Sequence, residues 1–229
     1  MIKENIELVR KRIAESCTRR TADQNEPVTL VAVTKNHDIQ AMEEAIASGI
    51  TIVGENRVQE AQKKYSVIGS KVKWHLIGHL QTNKAAQAVK IFDLIHSVDS
   101  EHLLLAVQKE AEKINKVQDI LIQVNLAKEE SKFGIFKEEL PELLQKTESL
   151  NNIRLCGLMC IAPHYENPEQ CRLLFREMRE IFKNVKELCI SRANIIYLSM
   201  GMTNDYHIAV EEGANIVRVG TAIFGARQY

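Results

Sequence analysis

Lys35 closes an apolar, β-branched run, VTLVAVT at 28–34. A lysine there either snorkels to solvent along its own methylene stem or stands desolvated at a mouth. In the second case its amine loses its proton readily and can condense with a carbonyl to a Schiff base. Arg218 lies inside another such run, VRVG at 217–220. A guanidinium in a buried strand is costly unless it is paired. It is therefore either half of a structural ion pair, with Glu55 among the acids available, or a fixed donor aimed at a ligand. Ser199-Met200-Gly201 and Gly220-Thr221 bring small residues together with hydroxyls. Small residues let backbone N–H groups approach an anion, hydroxyls donate to it, and a helix N-terminus adds positive potential, so these segments suit a phosphate. The same residues also make ordinary turns and caps. Asn56, in Gly54-Glu55-Asn56, is a further polar group at the end of an apolar run.

Other chemistries find less support. His75 and His79 are four apart, but on a predicted strand and its loop, and no carboxylate follows in zincin order, so no metal site is expected. There is no G-x-S-x-G elbow and no nucleophilic Cys/His signature. Cysteines 17, 156, 160, 171 and 189 form no C-x-x-C pair and are expected to be buried core thiols, which argues against a disulfide framework. Trp74 is expected to pack. Arg10-Lys11-Arg12 and Arg19-Arg20 have acids nearby and are read as a solvated helix face.

The polar groups need a scaffold that gathers strand ends. Eight short apolar runs recur: 28–34, 50–54, 72–78, 93–98, 119–126, 153–159, 195–200 and 215–225. Most lack strict alternation, as parallel strands covered on both faces do. Helix-period segments lie between them, among them Val58, Ala61, Tyr65, Ile68; Leu104, Val107, Ala111, Ile114; and Leu174, Met178, Ile181, Val185, Leu188. Asp38 and Ser100 are placed as N-caps, Gly49 as a helix end, Asn167-Pro168 with Gln170 as a capped start, and Thr203 or Asn204 as the cap of a late helix. An opening helix carries Ile2, Ile6, Val9 and Ile13. This pattern predicts a (β/α)8 barrel, with an open doubly wound sheet as rival. No G-x-G-x-x-G follows the first run, which weakens the dinucleotide-binding form of that rival. In the barrel, chemistry sits where strands end, and the loops after strands seven and eight make its recurrent phosphate site.

With no linker and no break in composition, the 229 residues are expected to form one domain, 1–229, with the opening helix as an extra element. The 30 basic and 30 acidic residues cancel, which argues against nucleic acid or an acidic membrane as a bulk partner. The N-terminal stretch has no apolar signal region and no run of 18 apolar residues exists, so a cytoplasmic protein is expected.

Eight strand-end segments, taken in order, resemble the pyridoxal-phosphate homeostasis protein family (YggS/PROSC-type), which looks like the barrel domain of alanine racemase standing alone. They are VAVTK (31–35), GENRVQE (54–60), WHLIGHLQTNK (74–84), HSVDS (96–100), VNLAKEESKFG (124–134), GLMCI (157–161), LSMGMTND (198–205) and VRVGTAIFGAR (217–227). Two departures are visible: His79 where the family usually has proline, and Cys156 where arginine often stands. The resemblance implies a single (β/α)8 TIM barrel of PLP fold type III that holds pyridoxal 5′-phosphate (PLP) as an aldimine on Lys35. By the same resemblance Ser199, the Gly201 backbone, Gly220 and Thr221 contact the phosphate, Arg218 faces the pyridine nitrogen and Asn56 lies by the ring. A guanidinium can only donate, so it bonds that nitrogen only when the nitrogen is unprotonated, and the ring is then a poor electron sink. Racemases of this fold also use arginine here, so the residue is compatible with carrying and with racemisation.

The expected function is non-catalytic PLP binding in intracellular PLP homeostasis, with no catalytic residue assigned. The alternative is a PLP-dependent amino-acid racemase. In the racemase relatives one base is a tyrosine from an additional β domain. The sequence ends at Tyr229, just after the eighth run, which leaves no room for it. A class I aldolase is disfavoured because its lysine usually lies on a later strand. Apo PLP-dependent enzymes are the expected transient partners, and a monomer is expected.

Overall fold

In the computed structural model, which describes residues 1–20, 26–129 and 132–225, each apolar run forms a parallel strand. They are β1 (Thr29–Val33), β2 (Ile52–Glu55), β3 (Lys73–Leu76), β4 (Leu94–Val98), β5 (Gln118–Gln123), β6 (Ile153–Met159), β7 (Tyr197–Met202) and β8 (Ile216–Val219). The strands pair in chain order, and β1 also pairs with β8, so the sheet closes into a barrel. This is the (β/α)8 architecture, and closure excludes the open sheet. The helices are α1 (Ile2–Cys17), α2 (Ile39–Ala47), α3 (Val58–Ile68), α4 (Ala85–Ile91), α5 (Glu101–Lys113), α6 (Leu140–Glu148), α7 (Arg172–Glu187), α8 (Tyr206–Glu211) and α9 (Thr221–Phe224). Residues 226–229, with the end of the last resembling segment and Tyr229, lie outside the described residues.

Local signals set most boundaries. Asp38 accepts from Ala41 N at 2.8 Å and Ser100 from Leu103 N at 3.2 Å, caps of about 1 kcal/mol each. Gly49, at φ 87, takes the left-handed turn that ends α2. The apolar faces of the helices and the outward side chains of the strands form one large core that includes Trp74, Phe92 and Phe175. Each such aliphatic or aromatic side chain contributes about 1.5–3 kcal/mol relative to exposure. A second, smaller cluster fills the barrel itself: Val31, Leu94, Leu121, Cys156, Met159 and Ile216. Strand alternation is therefore present but hidden, since both faces are apolar. Ile216 points in and Val217 out, and the inward place after Ile216 is Arg218.

Six expectations are corrected. β7 extends to Met202, whereas the last run leaves the sheet at Val219, and Thr221–Phe224 coil into α9. Asp205, not Thr203 or Asn204, precedes α8, its Oδ1 accepting from Met202 N at 2.6 Å. Asn167 caps a single 3₁₀ turn, accepting from Glu169 N at 3.1 Å, with no reciprocal bond recorded from Gln170. Arg20 is no solvated residue: only 2% exposed, it donates to the carbonyls of Val210, Glu26 and Ala214 and ties the end of α1 to the α8–β8 turn. Of the five free cysteines, Cys156, Cys160 and Cys171 are buried, but Cys189 is exposed and Cys17 half-buried. Among the described residues no helix is long and apolar enough to cross a membrane.

Candidate functional site

Strand β1 delivers Thr34 and Lys35 to the C-terminal rim, where the chain turns through Asn36 at φ 63. A buried charged cluster fixes that turn from below. Glu55, at the end of β2, is wholly buried, and its Oε1 accepts from Thr34 Oγ1 at 2.5 Å and Lys64 Nζ at 2.8 Å. Lys64 Nζ also donates to the Thr34 carbonyl at 2.7 Å and to Glu60 Oε1 at 2.7 Å. Glu60 Oε1 in turn accepts from Asn36 N at 2.6 Å. The backbone is thus held on both sides of Lys35. Burial raises the Glu55 carboxyl above its ordinary 4.5, against the pull of Lys64. For Glu60 burial also pushes upward, but the hydrogen bonds from Lys64 and Asn36 win and its pKa is lowered. Sequence reasoning named Glu55 only as a partner for Arg218 and missed Glu60 and Lys64. Their i, i+4 spacing on α3 was the available signal.

On β8, the strand that pairs with β1, Arg218 is 2% exposed inside the barrel. Its Nη1 donates to Ser199 Oγ at 2.5 Å and its Nη2 to the Cys160 carbonyl at 2.8 Å. Burial lowers its pKa from the usual arginine value, though a guanidinium stays protonated in practice. Behind it, Ser199 Oγ meets His96 Nδ1 at 2.9 Å, and His96 Nε2 meets His75 Nδ1 at 3.0 Å.

Between these walls lies a cavity of about 640 Å³ whose lining includes Lys35, Asn56, Arg218, Gly220 and Thr221. Five of the seven sequence-derived candidates therefore meet at one site. The other two stand behind it. Ser199 is completely buried and engaged by Arg218 and His96, so its hydroxyl is part of the support beneath the cavity. Gly201, at φ 90, is a packing glycine: a Cβ there would lie 2.5 Å from Ala209 Cβ and 2.9 Å from Tyr206 Cα. Thr203, just after β7 and expected from the sequence as a possible cap, lines the cavity instead. Thr203 Oγ1 accepts from Gly220 N at 3.3 Å and links the loops after β7 and β8. Lys132, His164 and Tyr165 also line the cavity and were not anticipated.

The rim carries one more arrangement. His79 lies 3.1 Å from Asp99 and stacks on Phe133, with ring centroids 3.7 Å apart. Burial raises the Asp99 carboxyl, and His79 opposes the rise. Among the described residues no group of three His, Cys, Asp or Glu side chains is placed to hold a metal. A primary amine, a fixed guanidinium with N–H groups to spare, and a corner of hydroxyls and backbone suit a flat carbonyl compound with an acceptor ring atom and an anionic tail.

Comparison with known proteins agrees with this shape. The family described as "Alanine racemase, N-terminal domain" matches residues 2–228. The "Pyridoxal phosphate homeostasis protein" of Aquifex aeolicus (strain VF5) is 41% identical over 228 residues, 99% of this chain and 98% of that one. The protein of the same name from Escherichia coli (strain K12) is 36% identical, over 100% of this chain and 97% of that one. Among solved structures, PipY of Synechococcus elongatus PCC7942 with PLP bound is 34% identical and superposes with a TM-score of 0.85, covering 98% of this chain and 100% of that one. Alanine racemase of Clostridium difficile 630, at 11% identity and a TM-score of 0.71 over 96% of this chain and 60% of that one, shares the barrel. With its closed barrel and its match along nearly the whole length, this chain belongs to the pyridoxal phosphate homeostasis protein family.

Proposed function

We propose that this protein holds pyridoxal 5′-phosphate as a Schiff base on Lys35 and serves intracellular PLP homeostasis as a carrier, not as an enzyme. The observation that carries the reading is the convergence of Lys35, Arg218, Thr203, Gly220 and Thr221 on one cavity. Lys35 supplies the amine from a turn held on both sides. Arg218 donates to the pyridine nitrogen. Thr221, the Gly220 backbone and Thr203, in the place first given to Ser199, receive the phosphate, and Asn56 lies by the ring. Small residues fit this corner: a Cβ on Gly220 would come within 3.2 Å of Val33. PLP supplies a reactive aldehyde and an electron-accepting ring. The protein supplies orientation, and a donor-only arginine leaves the ring weakly activated. The chain works as one domain, as a cytoplasmic monomer that meets apo PLP-dependent enzymes transiently and requires neither nucleic acid nor membrane.

Racemisation remains the second reading because of Tyr165. It lines the cavity, and its hydroxyl would supply the second acid or base that racemisation needs beside Lys35. Chiral chromatography of alanine, serine and glutamate incubated with the PLP-loaded protein decides between the two. The carrier reading predicts no turnover near the ordinary enzymatic range of about 1 s⁻¹ or more. Turnover in that range, lost in Lys35→Ala and in Tyr165→Phe, would make the protein an enzyme.

A further inference from the structure

We infer that Ser199, His96 and His75 form a buried hydrogen-bond relay that positions Arg218 toward the cofactor's ring nitrogen without neutralising its charge. This deepens the reading above and rests on it.

The direction of the relay follows from which groups can donate. A guanidinium has only donors, so Ser199 Oγ accepts at 2.5 Å. That oxygen has one other hydrogen-bond partner, His96 Nδ1 at 2.9 Å, and no exposure to solvent. Its own proton therefore goes to His96 Nδ1. The proton of His96 then sits on Nε2 and is donated to His75 Nδ1 at 3.0 Å. His75, with Nδ1 accepting, carries its proton on Nε2. Every member is neutral except Arg218, and one arrangement of protons satisfies the chain. Burial, with Lys73 adding to it, holds the His75 pKa down to about 3, and burial, His75 and Arg218 together hold His96 well below 6.5.

The arrangement explains the absence of an acid at this position. Among the described residues Arg218 has no carboxylate within ion-pair distance; the Ser199 hydroxyl and the Cys160 carbonyl hold two of its nitrogens. A carboxylate would fix the guanidinium equally well, but it would compete with the ligand for the charge. A hydroxyl backed by imidazoles fixes orientation and leaves the positive charge for the cavity. Ser199, His96 and His75 are thus positioning residues. They act only through Arg218.

The test compares two ligands: PLP, and its 1-deaza analogue, in which C–H replaces the ring nitrogen. Binding of each is measured by calorimetry. The wild-type protein is expected to prefer PLP by about tenfold or more, the range of a hydrogen bond to a charged group, and Arg218→Met to lose that preference. Ser199→Ala and His96→Leu should move the preference toward that of Arg218→Met. His96→Asn, which keeps an acceptor beside Ser199, should retain part of it. Equal weakening of both ligands with the preference intact would reduce the relay to a structural plug and overturn the proposal. A measurement on the wild-type protein guards against variants that do not fold. Ring ¹⁵N NMR of the apo protein at neutral pH should show His75 and His96 neutral with the proton on Nε2. An imidazolium or an Nδ1–H form in either ring would contradict the relay. Failure of the wild-type protein to bind either ligand would overturn the cofactor reading instead, and the NMR result tells the two failures apart.

Discussion

Beneath Lys35 two carboxylates, Glu55 and Glu60, share one ammonium, that of Lys64, whereas on the neighbouring strand β8 Arg218 meets a hydroxyl, a carbonyl and, through the hydroxyl, two neutral imidazoles. Both clusters are buried apart from the partly exposed Glu60, and both hold one cavity residue in place. They differ in what they hold. The first grips backbone, through Thr34 O and Asn36 N, so its charges can be spent on each other while they fix the turn that carries Lys35. The second grips the functional group itself, and pairing that group with an acid would cancel the charge it offers. Charge compensation beneath one wall and charge preservation beneath the other follow from that distinction.

The largest effect should come from breaking the compensated cluster. Lys64→Met leaves two carboxylates facing each other, one of them wholly buried. The expected loss is about 3 kcal/mol, the low end for a broken buried pair because Glu60 is partly solvated, read as a shift of the urea midpoint. Glu55→Gln added to Lys64→Met should recover part of it. If Lys64→Met were neutral, the cluster would not be holding the turn.

Next comes the phosphate corner. Thr203→Ala with Thr221→Ala should weaken PLP by about tenfold or more, since bonds to charged groups are worth about 1.5–3 kcal/mol each. Unphosphorylated pyridoxal should be much less affected. Equal losses for the two ligands, by titration, would mean that these threonines act through the fold.

The smallest effect is a pH slope. The Glu55 pKa is raised in the folded state, so the native protein binds that proton more tightly than the unfolded chain. Its contribution to stability therefore grows as pH falls through the raised value toward 4.5. Glu60 is lowered, so its contribution is present above 4.5 and is lost as pH falls through its folded value. Stability of wild type minus Glu55→Gln should rise from pH 7 toward pH 5 (about two units above and near the ordinary range). A flat difference would show that Glu55 is not forced to carry its charge at a cost.

Much of this was legible in the sequence because strand ends advertise themselves. An apolar run that stops at lysine, or one interrupted by arginine, is a local signal, and eight such runs in order define the barrel. What escaped was which way side chains point. Because both strand faces are apolar, nothing in LSMGMT shows that Ser199 faces inward under Arg218 while Thr203 reaches the cavity. Gly201 has the composition of an anion cradle, yet it is glycine because α8 packs too close for a Cβ. His75 and His96 are 21 residues apart, and the pairing of β3 with β4 brings them together. Glu60 and Lys64 looked like any surface pair on an amphipathic helix.

The most direct measurement is borohydride reduction of the PLP-loaded protein, followed by peptide mapping by mass spectrometry. The account predicts one adduct, on Lys35, at close to one per chain. In Lys35→Ala the adduct should be absent, while weaker non-covalent PLP binding persists through Arg218 and the phosphate corner. An adduct of equal yield on Lys132, the other lysine lining the cavity, or one that survives in Lys35→Ala, would contradict the assignment of Lys35.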